Sequence, residues 1–155
     1  MQLTDILELN HVKVPMQATD KAAAIKELVD LLDQNITFKD YDAVLRAVME
    51  REAIRSTGVG QGFAIPHGKT NTVDRIYMAV GKLNDPIDFN SIDGQNVTMI
   101  VLLVSPLDQT GPHIQALARI SRLMTDQKLR NSLWTCTSAE ELFQLICNYK
   151  FHDTE

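Results

Sequence analysis

Apolar residues recur along this chain at two different periods. Over residues 20–33, Ala24, Ile25, Leu28, Val29, Leu31 and Leu32 fall three and four apart, which predicts an amphipathic helix with Thr19 or Asp20 as its cap. The spacing returns over 40–51 through Tyr41, Val44, Leu45, Val48 and Met49, and this helix carries Arg51 at its C-terminal end. Residues 112–124 follow the same rule, with Pro112 in the first turn. A short helix is expected over 126–134. A last one spans 138–149, with Ser138 and Glu141 spaced as a capping box.

Between these lie segments of period two or of unbroken hydrophobicity. Gly62 to Ile65 reads as a short extended piece. Residues 75–83 alternate through Ile76, Met78 and Val80, as a half-buried strand does. Val97 to Val104 is almost continuously apolar and reads as a central strand buried on both faces, ended by Pro106. Asp85-Pro86 and Asp93-Gly94 are read as turns around an extended piece holding Ile87 and Phe89. Helices at both ends with strands between predict an α/β sandwich around a mixed sheet, in one domain over residues 1–155.

Composition narrows the functional classes. The net charge of −5 argues against a nucleic-acid binder. The apolar run from Met99 to Val104 is too short to span a bilayer, so no membrane insertion is expected. The first residues show neither a basic region nor an apolar one, so no signal peptide is expected. Cys136 and Cys147 do not make a disulfide framework and read as reduced thiols of a cytoplasmic protein. Histidines and cysteines lack ligand spacing, so neither a metal nor another cofactor is expected. There is no Walker loop, dinucleotide fingerprint or G-x-S-x-G elbow.

The chemistry concentrates in residues 51–69, which hold four of the seven glycines, Arg51, Arg55, Ser56-Thr57 and a histidine between proline and glycine. Pro66 restricts the backbone entering His67, and Gly68 lets a bulky group approach the main chain beside it. The alternating Gly58, Gly60 and Gly62 would bare one face of an extended stretch to a ligand or another backbone. Such a frame suits an imidazole that receives and passes on a phosphoryl group, with Arg51 offering guanidinium and Ser56 and Thr57 hydroxyls. A surface ion pair with Glu50 or Glu52 is the alternative for Arg51, and Arg55 reads as a solvated charge. His113 stands at a helix start, where imidazolium is disfavoured. His11 and His152 lie in polar surroundings near the termini and are expected to be exposed.

Arg51-Glu52, Ser56-Thr57-Gly58-Val59-Gly60, Ala64-Ile65-Pro66-His67-Gly68-Lys69, Ile92-Asp93-Gly94-Gln95 and Pro112-His113-Ile114 together resemble the IIA proteins of the bacterial phosphoenolpyruvate-dependent sugar phosphotransferase system. The similarity is to the fructose/mannitol class, nearest its nitrogen-related and fructose-type members. The resemblance implies a three-layer sandwich with a mixed sheet flanked by helices. It also implies that His67 is phosphorylated at Nε2 by a small histidine phosphocarrier protein, with Arg51 and His113 as partners at the phosphoryl site. Ser56, Thr57 and Gly68 are taken as its phosphoryl-binding surroundings, and Gln61 receives no role. The acceptor would be a IIB protein; alternatively the chain is a regulatory module whose partners read the state of His67. A scaffold that has lost transfer is disfavoured by the intact Arg51, His67 and His113.

Overall fold

A computed structural model describes residues 1–151. Two short 3-10 turns, Leu3–Asp5 and Leu9–His11, lead into strand β1, Val12–Met16. Helices α1, Lys21–Ile36, and α2, Tyr41–Ile54, follow. Next come β2, Gly58–Gly60; β3, Phe63–Ala64; β4, His67–Thr70; β5, Tyr77–Ile87; and β6, Val97–Pro106. Helices α3, Thr110–Thr125, α4, Gln127–Thr135, and α5, Ala139–Cys147, complete the chain.

The sheet runs β1-β5-β6-β3-β2, with β4 also paired to β6. β6 is its spine. β5 lies antiparallel on one side, and β3 and β4 lie parallel on the other as two segments of one line. Pro66 separates those segments, but its carbonyl still accepts from Leu103 N at 3.1 Å, so the line is only briefly interrupted. Alternate residues of β6 face opposite layers. Met99, Val101 and Leu103 join the core beneath α3, α4 and α5, whereas Ile100, Leu102 and Val104 join the core beneath α1 and α2. The result is the expected three-layer sandwich with a mixed sheet.

Local chemistry explains the element ends. Asp20 caps α1 by accepting from Ala23 N, and Asp40 does the same for α2 through Ala43 N. Ser138 caps α5 by accepting from Glu141 N. Glu141 reaches back one residue further than a capping box requires, to Thr137 N at 3.0 Å.

The structure departs from the sequence expectations at several places, among them strand β4, for which no strand was expected. β1 was not anticipated, since it is five residues long and contains Pro15. α2 continues one turn beyond Arg51 to Ile54. Asp85-Pro86 is not a free turn but lies within β5, where the register against β6 shifts between Lys82 and Ile87. An irregular stretch tolerates a proline because no ladder donor is needed there. His11 is buried at 2% exposure, because the turn Leu9–His11 tucks it beneath α1 instead of leaving it in solvent. His152 lies outside the described residues.

Candidate functional site

Strand parity brings the two central histidines together. His67 pairs with Leu103 across β4 and β6, and it points into the layer occupied by α3. His113 occupies the first turn of α3 and is 4% exposed. The two rings lie 5.5 Å apart between centroids, tilted by 58°. Neighbouring Gly68 faces the opposite layer, where a Cβ would come within 2.9 Å of Ala47 C and Val48 N of α2. The group that approaches Gly68 is therefore helix backbone, and the glycine seats β4 against α2.

His67 Nδ1 lies 2.8 Å from Ile65 O. A carbonyl can only accept, so Nδ1 carries the proton and neutral His67 has its lone pair on Nε2. Burial lowers the His67 pKa first; the Ile65 carbonyl opposes this, and Arg51 lowers it further. His113 is pushed down to about 4, by burial and then by the charges of His67 and Lys69. Both rings are neutral at pH 7.

His67 lines an open cleft of about 400 Å³ with Arg51, Ser56, Thr57, Val59 and Ile92 among its walls. Arg51 is held at the end of α2 by a 2.8 Å bond from Nη1 to Arg55 O, while Arg55 itself is exposed. Ser56 donates to Phe89 O at 2.6 Å and accepts from Gly58 N. Thr57 gives both of its donors to Glu52: N to Oε2 at 2.8 Å and Oγ1 to Oε1 at 2.5 Å. Thr57 thus braces the cleft from behind. A groove of about 780 Å³ between α4 and α5 is larger, but it mixes Asp126, Glu140 and Glu141 with Lys128 and Lys150, and no histidine among the described residues lines it.

The glycine-rich segment is a hairpin. Gly60, Gln61 and Gly62 all have positive φ, of 99°, 59° and 82°, and reverse the chain between β2 and β3. Asp93 ties that turn to the loop before β6, accepting from Gln61 N and Gln95 N, and these bonds hold its carboxyl below the usual range. The hairpin glycines answer to backbone geometry.

Three further residues belong to this neighbourhood. Glu52 is 5% exposed and pairs with Lys21 at 2.8 Å, so it is not the partner of Arg51. Its position was legible: Val44, Val48 and Glu52 fall four apart along the inner face of α2. Ser105, fully buried at the end of β6, bonds His113 Nδ1 at 2.6 Å. Lys69 is exposed, one strand residue beyond Gly68, and its charge reaches both histidines. Among the described residues no cluster of His, Cys, Asp or Glu could hold a metal, and no helix is long and apolar enough to cross a membrane. Cys136 and Cys147 are free thiols.

Comparison with known proteins accords with this architecture. The family model described as phosphoenolpyruvate-dependent sugar phosphotransferase system, EIIA 2, matches residues 5–149. A nitrogen regulatory protein of Bradyrhizobium diazoefficiens is 33% identical over 146 residues, covering 94% of this chain and 95% of that protein. The fructose-specific EIIABC component of Bacillus subtilis is 31% identical over 146 residues, 94% of this chain, but the chain spans only 23% of its length. The crystal structure of nitrogen regulatory protein IIA-Ntr from Neisseria meningitidis has a TM-score of 0.85 at 31% identity, covering 93% of this chain and 98% of that one. With its sandwich fold and facing histidines, the chain belongs to the EIIA type-2 family of the phosphotransferase system, whose members are phosphotransfer and regulatory modules.

Proposed function

We propose that His67 accepts a phosphoryl group at Nε2 from a histidine phosphocarrier protein and holds it for a second protein. The observation that carries this reading is the 2.8 Å bond between His67 Nδ1 and Ile65 O, which leaves Nε2 as the nucleophile. In the transfer the donor's P–N bond breaks, its electron pair stays on the donor ring, and the new bond forms at Nε2. No proton moves on His67. Because the Ile65 carbonyl retains the Nδ1 proton, the ring becomes cationic as Nε2 bonds to phosphorus and is then a good leaving group.

The rest of the pocket supplies charge and position, which is most of what phosphoryl transfer requires. Arg51 is a fixed cation on the cleft wall, and His113 presents a neutral ring whose centroid lies 5.5 Å from that of His67. Ser56 lines the cleft but gives its one hydroxyl proton to Phe89 O, so Ser56, Thr57 and Gly68 all act by holding the loop and β4 in place. The chemistry needs no cofactor. Exposed Val59 and Ile92 line the same cleft and offer apolar contact to a docking protein.

The acceptor separates two readings. We favour the regulatory branch, in which partners read the phosphorylation state, over delivery to a sugar IIB protein. Nitrogen regulatory relatives are matched along nearly their whole length, but so is a fructose-specific EIIA component, and the character of the cleft rim carries the preference. A phosphoryl group brings about two negative charges beside an apolar rim, so the unmodified form is the expected binder.

The test begins with labelled phosphoenolpyruvate and the general phosphotransferase components. Wild type should acquire an acid-labile, base-stable phosphoryl group that His67→Ala lacks. Undiminished labelling of His67→Ala ends the assignment. Pull-downs with wild type, His67→Ala and His67→Asp should differ between the neutral and the acidic bait. Identical profiles together with rapid transfer to one sugar IIB domain would favour transport.

A further inference from the structure

Ser105 is the last residue before Pro106 at the C-terminal end of β6, on the face that carries Leu103 and Val101 into the layer below α3. That parity aims its hydroxyl at the first turn of α3. There Oγ lies 2.6 Å from His113 Nδ1, and Ser105 is entirely buried. His113 N is already bound to Gln109 O at 3.0 Å, so the backbone of this turn is fixed before the side chains meet.

Two tautomers satisfy a serine–imidazole contact in principle. If His113 Nδ1 carried the proton and donated to Ser105, the serine hydroxyl would itself need another acceptor. Among the described residues, His113 Nδ1 is the hydrogen-bond partner shown for that hydroxyl. A buried donor without an acceptor is disfavoured, so the serine donates and His113 Nδ1 accepts. The proton of neutral His113 then sits on Nε2. This is the complement of His67, where the Ile65 carbonyl keeps the proton on Nδ1 and frees Nε2.

We propose that Ser105 is a positioning residue that locks His113 as an Nε2–H donor, so that His113 hydrogen-bonds an oxygen of the phosphoryl group carried by His67. The transfer role rests on the assignment of His67 as the phosphoryl acceptor; the tautomer does not. A carbonyl sets one ring as nucleophile and a hydroxyl sets the other as donor, 5.5 Å away. His113 can then steady anionic oxygen without becoming charged itself. A neutral donor of this kind holds the group less tightly than a second cation would, as a carrier that must release its cargo needs.

Long-range ¹H–¹⁵N correlation spectra of ring-labelled protein, unphosphorylated at pH 7.5, test this directly. Wild-type His113 is expected to show protonated Nε2 and unprotonated Nδ1. In Ser105→Ala the ring should redistribute between tautomers, and transfer through His67 should slow by at least about tenfold with the fold retained by circular dichroism. A wild-type Nδ1–H tautomer overturns the proposal without recourse to any variant. So does an unaltered tautomer in Ser105→Ala, or an altered tautomer with wild-type transfer. If wild type takes no label on His67, the phosphocarrier reading fails, while the tautomer stands or falls on its own spectrum.

Discussion

Glu52 accepts both hydrogen bonds that Thr57 can donate, one from its backbone and one from its hydroxyl, while its carboxylate also pairs with Lys21. Three segments meet in that one buried group: the start of α1, the end of α2 and the loop that forms the wall of the histidine cleft. Lys21 adds a fourth by donating to Phe89 O at 3.3 Å. The bond network therefore spans the sheet edge that frames His67.

Removing this carboxylate should cost more than an exposed ion pair would. Glu52→Ala strands the Thr57 donors and the Lys21 ammonium, and breaking one partner of a buried pair costs about 3 kcal/mol. For a chain of this length that corresponds to a melting temperature lower by roughly 6–12 °C. Calorimetry on Glu52→Ala beside an exposed control, Glu50→Ala, measures it. Equal melting temperatures for the two would show that the network adds no stability.

Arg51→Ala and His113→Ala should leave the fold intact and slow phosphoryl transfer. Each loss of a transition-state bond to charged oxygen is expected to cost about 3 kcal/mol, or roughly a hundredfold in rate. Timing the accepting and the donating half-reactions separately shows whether His113 acts chiefly in release. Wild-type rates in both half-reactions would remove these residues from the site.

Gly68→Ala is a steric probe of the same geometry from the other face of β4. The added Cβ meets helix backbone of α2, which cannot rotate aside as a side chain can. Overpacking of this kind costs about 2 kcal/mol and should shift β4, and with it His67. Both the urea midpoint and the transfer rate should fall. A stable Gly68→Ala protein with full transfer would mean that α2 yields easily.

Three histidines make stability depend on pH. His11, His67 and His113 all have pKa values lowered in the folded state, chiefly by burial. The unfolded chain therefore binds more protons once pH falls below about 6.5, and stability declines from there down to the folded pKa values, about 4 for His113. Above pH 7 the three contribute no slope. His11 offers a separable test, because neither of its buried ring nitrogens has a hydrogen-bond partner among the described residues. His11→Leu should stabilise by roughly 1 kcal/mol at pH 7 and flatten the acid limb. Urea titrations from pH 8 to pH 4.5 measure both, and an unchanged acid limb would place the proton uptake elsewhere.

Much of this protein is written locally in its chain. The three-and-four spacing of Ala24 to Leu32 and of Val44 to Met49 requires helices, because only that period lines one face with apolar groups. The unbroken run Val97 to Val104 could be satisfied only by a strand covered on both sides, and β6 is the spine of the sheet. Pro66-His67-Gly68 marks a histidine in a constrained frame. Tertiary structure decided which groups meet. Parallel pairing of β4 with β6 sends His67 and Ser105 to the layer of α3 and sends Gly68 to α2, an outcome of register that no local pattern encodes. His11 reads as a polar residue near a terminus, yet packing of the turn Leu9–His11 beneath α1 buries it. Periodicity follows from the geometry of one element and is visible in one segment, whereas proximity depends on how distant segments share a core.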